Sequence, residues 1–83
     1  MSNKSLRVIL FTSPYCSWCK KVKTYLIQNR IRFKEVDVTK NASAARDIVR
    51  RTGQQGVPVT LVNNRPVIGF DKARLDRLLE IKH

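Results

Sequence analysis

The chain carries two cysteines, Cys16 and Cys19, separated by Ser17-Trp18. A structural bridge between them would close only a tiny loop and staple little of the fold. A structural zinc needs four ligands, and the other soft candidate, His83, stands at the far end of the sequence. The spacing therefore points to reversible dithiol–disulfide chemistry, the common use of such a pair in a reducing compartment. A metal or cluster shared between two chains is left open.

The neighbouring sequence assigns roles to the two thiols. From Ser17 the apolar residues Cys19, Val22, Tyr25 and Leu26 recur at helical spacing up to about Asn29, with Lys20, Lys21 and Lys23 on the other faces. The pair thus opens an amphipathic helix, where thiols at i and i+3 lie one above the other. Cys16 meets the unpaired N–H groups and the positive end of the helix dipole, which favour a thiolate. Lys20 and Lys21 add positive potential. Cys19 points into the helix and is expected to stay a thiol until needed. Cys16 is the expected nucleophile on a substrate disulfide, and Cys19 resolves the resulting mixed disulfide by attacking Cys16. Tyr15 is expected to shield the thiolate or contact substrate. Trp18, partly exposed beside Cys16, either packs on substrate or covers the helix N-terminus.

The elements that must hold this pair are legible in outline. Leu6–Thr12 is an apolar run with the look of a buried strand, and Ser13-Pro14-Tyr15 breaks it. Arg32–Val38 interleaves β-branched residues and Phe33 with charges, a second strand. Asn41 or Ser43 caps a second helix with a stripe of Ala45, Ile48 and Val49, an outer face of Arg46, Arg50 and Arg51, and Gly53 at its end. Val57–Val62 and Arg65–Ile68 flank Asn63-Asn64, whose side chains tolerate the positive φ of a hairpin turn. Asp71 caps a last helix with Leu75, Leu78 and Leu79 facing inward.

The order β-α-β-α-β-β-α begins with a right-handed parallel βαβ unit and ends with a hairpin and a covering helix. It predicts an α/β fold: a four-stranded mixed sheet with the first and third helices on one face and the second on the other, a minimal thioredoxin-like layout. With 83 residues, residues 1–83 are expected to form a single domain.

Three segments together resemble the glutaredoxin family over nearly the whole chain: Phe11-Thr-Ser-Pro-Tyr-Cys-Ser-Trp-Cys19, Thr52-Gly-Gln-Gln-Gly-Val-Pro58 and Val67-Ile-Gly-Phe-Asp71. The resemblance implies a cis Val57–Pro58 bond against the active site, whose backbone could pair with a peptide-like substrate as an added strand. It implies glutathione as a co-substrate received by Gln55, Val57, Gly69 and Asp71, with no tightly bound cofactor. Phe70 is expected under the last helix.

Departures from the family pattern bear on the reductant. Glutaredoxins usually carry a basic residue three positions before the first cysteine, and here Ser13 stands there. The shortened Ile68-Gly-Phe-Asp-Lys72 stretch is similar to glutaredoxin-like proteins of the NrdH-redoxin kind, which are reduced by thioredoxin reductase. Larger thioredoxins fit less well, with Gly-Pro between the cysteines and a buried Asp where this chain has Leu10. Members with Ser after the first cysteine can hold a [2Fe–2S] cluster between two chains with glutathione. A cluster carrier using Cys16 is therefore the alternative to a dithiol oxidoreductase acting on disulfide-containing or glutathionylated proteins.

Composition narrows the classes further. Hydrophobic residues at 42% and charged residues at 28% fit a globular chain and argue against disorder and a membrane span. The N-terminus lacks a signal-peptide pattern, so a cytoplasmic location is expected. Seventeen Lys and Arg against six Asp and Glu give +11. Those cations are spread along the chain without an aromatic-interleaved sheet face, which argues against nucleic acid. The charge is expected to favour anionic glutathione or an acidic partner met by a monomer.

Overall fold

The computed structural model describes residues 6–53 and 56–81. The elements run β1 (Val8–Thr12), α1 (Ser17–Gln28), β2 (Lys34–Asp37), α2 (Ala42–Thr52), β3 (Val59–Val62), β4 (Arg65–Ile68) and α3 (Lys72–Leu79). The sheet order is β2-β1-β3-β4. β1 pairs with β2 in parallel, with Leu10 opposite Glu35 and Thr12 opposite Asp37. β1–β3 and β3–β4 are antiparallel. This is the four-stranded mixed sheet expected from the element order.

Local chemistry fixes the joints. Asn63 and Asn64 take φ of 50° and 69°, the doubly positive pair of a tight hairpin turn. Asn63 also closes the turn against β1, donating from its N–H to Arg7 O (2.8 Å) and accepting from Arg7 N–H at Oδ1 (2.9 Å). Of the two cap candidates for α2, Asn41 serves, accepting the Ala44 N–H. Gly53 ends that helix at φ +75°, a conformation glycine adopts without a side-chain clash. Asp71 caps α3 through the Arg74 N–H.

The pleat sends alternate side chains to opposite faces. On one face Val8, Leu10, Val62 and Val67 pack with Val22, Tyr25 and Leu26 of α1 and Leu75 and Leu79 of α3. On the other, Phe11, Val59 and Leu61 pack with Ile48 of α2. Helices one and three therefore share a face, and helix two covers the other. Leu26, Leu75 and Leu79 are fully buried, each contributing about 1.5–3 kcal/mol of transfer free energy.

The structure corrects several expectations in detail. Each of β1, β2 and β3 is shorter than its apolar run. β3 starts at Val59 because Pro58 has no N–H to offer a ladder. Val49 stays 38% exposed, so α2 buries a narrower stripe than Ala45, Ile48 and Val49 together. Leu78 is only partly buried. Phe70 does pack on the α1–α3 cluster, with its ring edge-on to Tyr25 at 5.6 Å between centroids. Among the described residues, no helix is long and apolar enough to cross a membrane.

Candidate active site

β1 delivers the chain into the site at Thr12, and a turn then places the first thiol. The Cys16 N–H donates to Ser13 O (3.2 Å) and the Tyr15 N–H to Ser13 Oγ (3.3 Å). That turn leaves Cys16 at the N-cap of α1 with extended φ/ψ of −108° and 111°. Its Sγ accepts the Cys19 N–H at 3.1 Å, taking the place a serine or aspartate oxygen usually fills at a helix start. The same thiol donates to Val57 O at 3.6 Å. Cys16 is half-buried, whereas Cys19 is 3% exposed, and both are free thiols. Burial, with the Cys16 sulfur beside it, pushes the Cys19 thiol up to about 12, so Cys19 is held in its protonated form.

The Val57–Pro58 peptide is cis and faces the cysteine pair through the Val57 carbonyl. Pro58 O accepts the Gly69 N–H at 2.9 Å, tying the entry to β3 to the end of β4, with Gly69 at φ +71°. The site thus gathers Cys16, Cys19, Val57, Pro58 and Gly69. Asp71 lies two residues further on, and its carboxylate is occupied in capping α3. Gln55 lies outside the described residues, as does His83. Tyr15 is 91% exposed and packs into no core. Trp18 is 54% exposed on the first turn of α1, with Lys21 Nζ 4.5 Å from its ring centroid. This cation–π contact covers part of the indole and carries positive charge to the rim of the site.

Two grooves flank the cysteines. One, of about 440 Å³, runs between Ser13 and Val57 along the apolar side of α2, with Arg46 in its wall. The other, about 480 Å³, has Tyr25 and Phe70 in its wall together with Lys20, Lys21 and Lys72.

The resolving cysteine has surroundings that sequence reading missed. A cavity of about 360 Å³ is lined by Cys19, Lys20 and Lys23 of α1, Thr12 of β1, and Glu35 and Asp37 of β2. Glu35 is fixed there, accepting from Thr12 Oγ1 (3.1 Å) at Oε2 and pairing with Lys23 Nζ (3.0 Å) at Oε1. The available signal was register: in the parallel β1–β2 pair, Glu35 is opposite inward-facing Leu10, so it points to the α1 side. Asp37 turns back on its own loop, and hydrogen bonds from Thr39 hold its carboxyl below the ordinary range. Among the described residues, no group of three or more His, Cys, Asp or Glu side chains could hold a metal ion.

Comparison with known proteins agrees with this geometry. The glutaredoxin family model matches residues 8–67. The chain belongs to the glutaredoxin family. It is 35% identical over 71 residues to a glutaredoxin-like 8.6 kDa protein in the rubredoxin operon of Clostridium pasteurianum, covering 86% of this chain and 95% of that protein. It is 39% identical over 82 residues to the prophage-derived thioredoxin-like protein YosR of Bacillus subtilis, covering 90% and 96%. Among solved structures, a mutant of a thioredoxin-like protein superposes with a TM-score of 0.85 at 28% identity, covering 92% of this chain and 97% of that one. Glutaredoxin membership and the thioredoxin-like fold support a redox oxidoreductase role for the family's domain in this chain.

Proposed function

We propose that this chain is a small dithiol–disulfide oxidoreductase that reduces protein disulfides or glutathione mixed disulfides through Cys16-Ser-Trp-Cys19. The observation that carries this reading is the placement of Cys16. Its sulfur is half-exposed, capped by the Cys19 N–H and set against the Val57 carbonyl, with a buried, protonated Cys19 directly behind it. Cys16 attacks a substrate sulfur and takes on the mixed disulfide. Cys19 then attacks Cys16, releasing the reduced substrate. A substrate strand would lie in the groove between Ser13 and Val57, next to the backbone that precedes Pro58.

In this reading no cofactor is tightly bound, and Tyr15, Trp18, Gln55, Val57, Pro58, Gly69 and Asp71 border the substrate or glutathione. The reductant is glutathione or thioredoxin reductase, the protein works as a monomer, and its role is cytoplasmic redox homeostasis. One assay addresses both activity and reductant: turnover of a small disulfide with glutathione, or with thioredoxin reductase and NADPH. Cys16→Ser should abolish turnover with either. A fully active Cys16→Ser protein, or a brown cluster-bearing dimer when purified without oxygen, would overturn the dithiol reading.

A further inference from the structure

We infer that Glu35 is the proton acceptor for Cys19 when the mixed disulfide is resolved, through the cavity that the two side chains share behind the reactive pair. The inference rests on the dithiol reading above and deepens it. In the resolving step the Cys19 S–H proton must leave before its sulfur can attack. The Cys19 Sγ–Cys16 Sγ bond then forms, the bond from Cys16 to the substrate sulfur breaks, and the electron pair departs on the substrate thiolate. Two electrons pass from the dithiol to the substrate. The proton taken by Glu35 returns to solvent or to the released thiolate.

Cys19 has little access to bulk water, being 3% exposed. It lines the cavity of about 360 Å³ that Glu35 also lines, which is ample for water. A proton can therefore pass from thiol to carboxylate by way of water in this shared cavity, as general bases can work through water. The carboxylate is built into place, with Thr12 Oγ1 and Lys23 Nζ on separate oxygens. Each carboxylate oxygen retains a second lone pair for a proton. The charged groups facing the cavity are Lys20 and Lys23 from α1 and Asp37 from β2. Asp37 is committed to Thr39, which leaves Glu35 as the carboxylate anchored between β1 and α1.

The test separates the two chemical steps. Excess dithiobis(nitrobenzoate), whose thiolate product is coloured, reacts first at Cys16 and then yields a second coloured thiolate when Cys19 resolves the adduct. Glu35→Gln should leave the first phase within about twofold and slow the second by at least tenfold near neutral pH, within the range of lost general-base assistance. The second phase of Glu35→Gln should rise in proportion to hydroxide, as expected when solvent must take the proton, while that of the wild type should depend on hydroxide less steeply. Glu35→Asp should restore the wild-type profile in part. A second phase in Glu35→Gln that matches the wild type in rate and pH profile would overturn this assignment. Absence of any second phase in the wild type would overturn the dithiol reading itself. An unchanged first phase guards against mistaking misfolding for a lost base.

Discussion

Cys16 and Cys19 share one helical turn yet occupy opposite extremes of environment, one a half-exposed cap and the other buried with its thiol pushed up to about 12. That asymmetry has a thermodynamic signature. The folded state binds the Cys19 proton more tightly than an unfolded chain, where the group titrates near 9.0. The resulting stabilisation is fully present below that pH and is lost as pH climbs toward 12. Denaturant midpoints of the reduced protein should therefore fall with rising pH over this window more steeply than those of Cys19→Ala. Parallel curves would remove the basis for a buried, protonated resolving thiol. The dithiol itself, the helix it opens and the inward Cys19 were all readable, because they depend on spacing within one turn. Glu35 was not, because its meeting with Thr12, 23 residues away, depends on β1–β2 register and on how α1 lies across the sheet. Asp71 was read both as the cap of the last helix and as a glutathione contact, and its carboxylate does cap α3.

At the level of elements, the joints carried the clearest signals, since φ sign and capping are properties of one or two residues. Asn63-Asn64, Asn41 and Gly53 all occupy the turns and caps their chemistry indicated. Strand ends were less legible. Leu6 and Val57 are apolar, but β1 begins only at Val8, opposite Val62, and β3 only at Val59, opposite Phe11, just after Pro58, which has no N–H for the ladder. Gly53 offers a clean check on the joint at the end of α2. A Cβ built there meets nothing within 4 Å, so packing plays no part and only the left-handed backbone is penalised. Gly53→Ala should cost about 1 kcal/mol, and Gly53→Asn should cost less, because Asn enters this region readily. Equal stabilities for all three proteins in urea would show that the helix end relaxes out of the left-handed conformation. The sheet edges are also guarded locally. β4 carries Pro66, which withholds a donor from any added strand, and β2 is only four residues long.

For the whole molecule, the excess of +11 has no single home. Lys20, Lys21 and Lys72 rim the groove beside Tyr25 and Phe70, while Arg46 stands in the groove on the other flank of the cysteines. Cations therefore line the grooves on both flanks of the cysteines, and long-range steering of anionic disulfides should follow. The second-order rate with an acidic peptide disulfide should fall several-fold between low and physiological salt, and the rate with a basic analogue should not. Equal salt dependence for both peptides would leave the charge without a part in substrate capture. Composition alone could report the sum of charges but not this arrangement, since α1, α2 and α3 meet around the site only once the sheet has formed.

The sulfur that caps α1 is the sulfur that reacts, so the helix and the redox couple draw on one hydrogen bond. The reduced sulfur accepts the Cys19 N–H, and a disulfide sulfur accepts it poorly. Oxidation therefore withdraws the cap from the first turn, and helix stability becomes a weight on the reduced side of the balance. With caps contributing about 1 kcal/mol, that weight corresponds to about 20 mV for a two-electron couple. The first turn of α1 thus acts as a counterpoise that makes the oxidised protein easier to reduce.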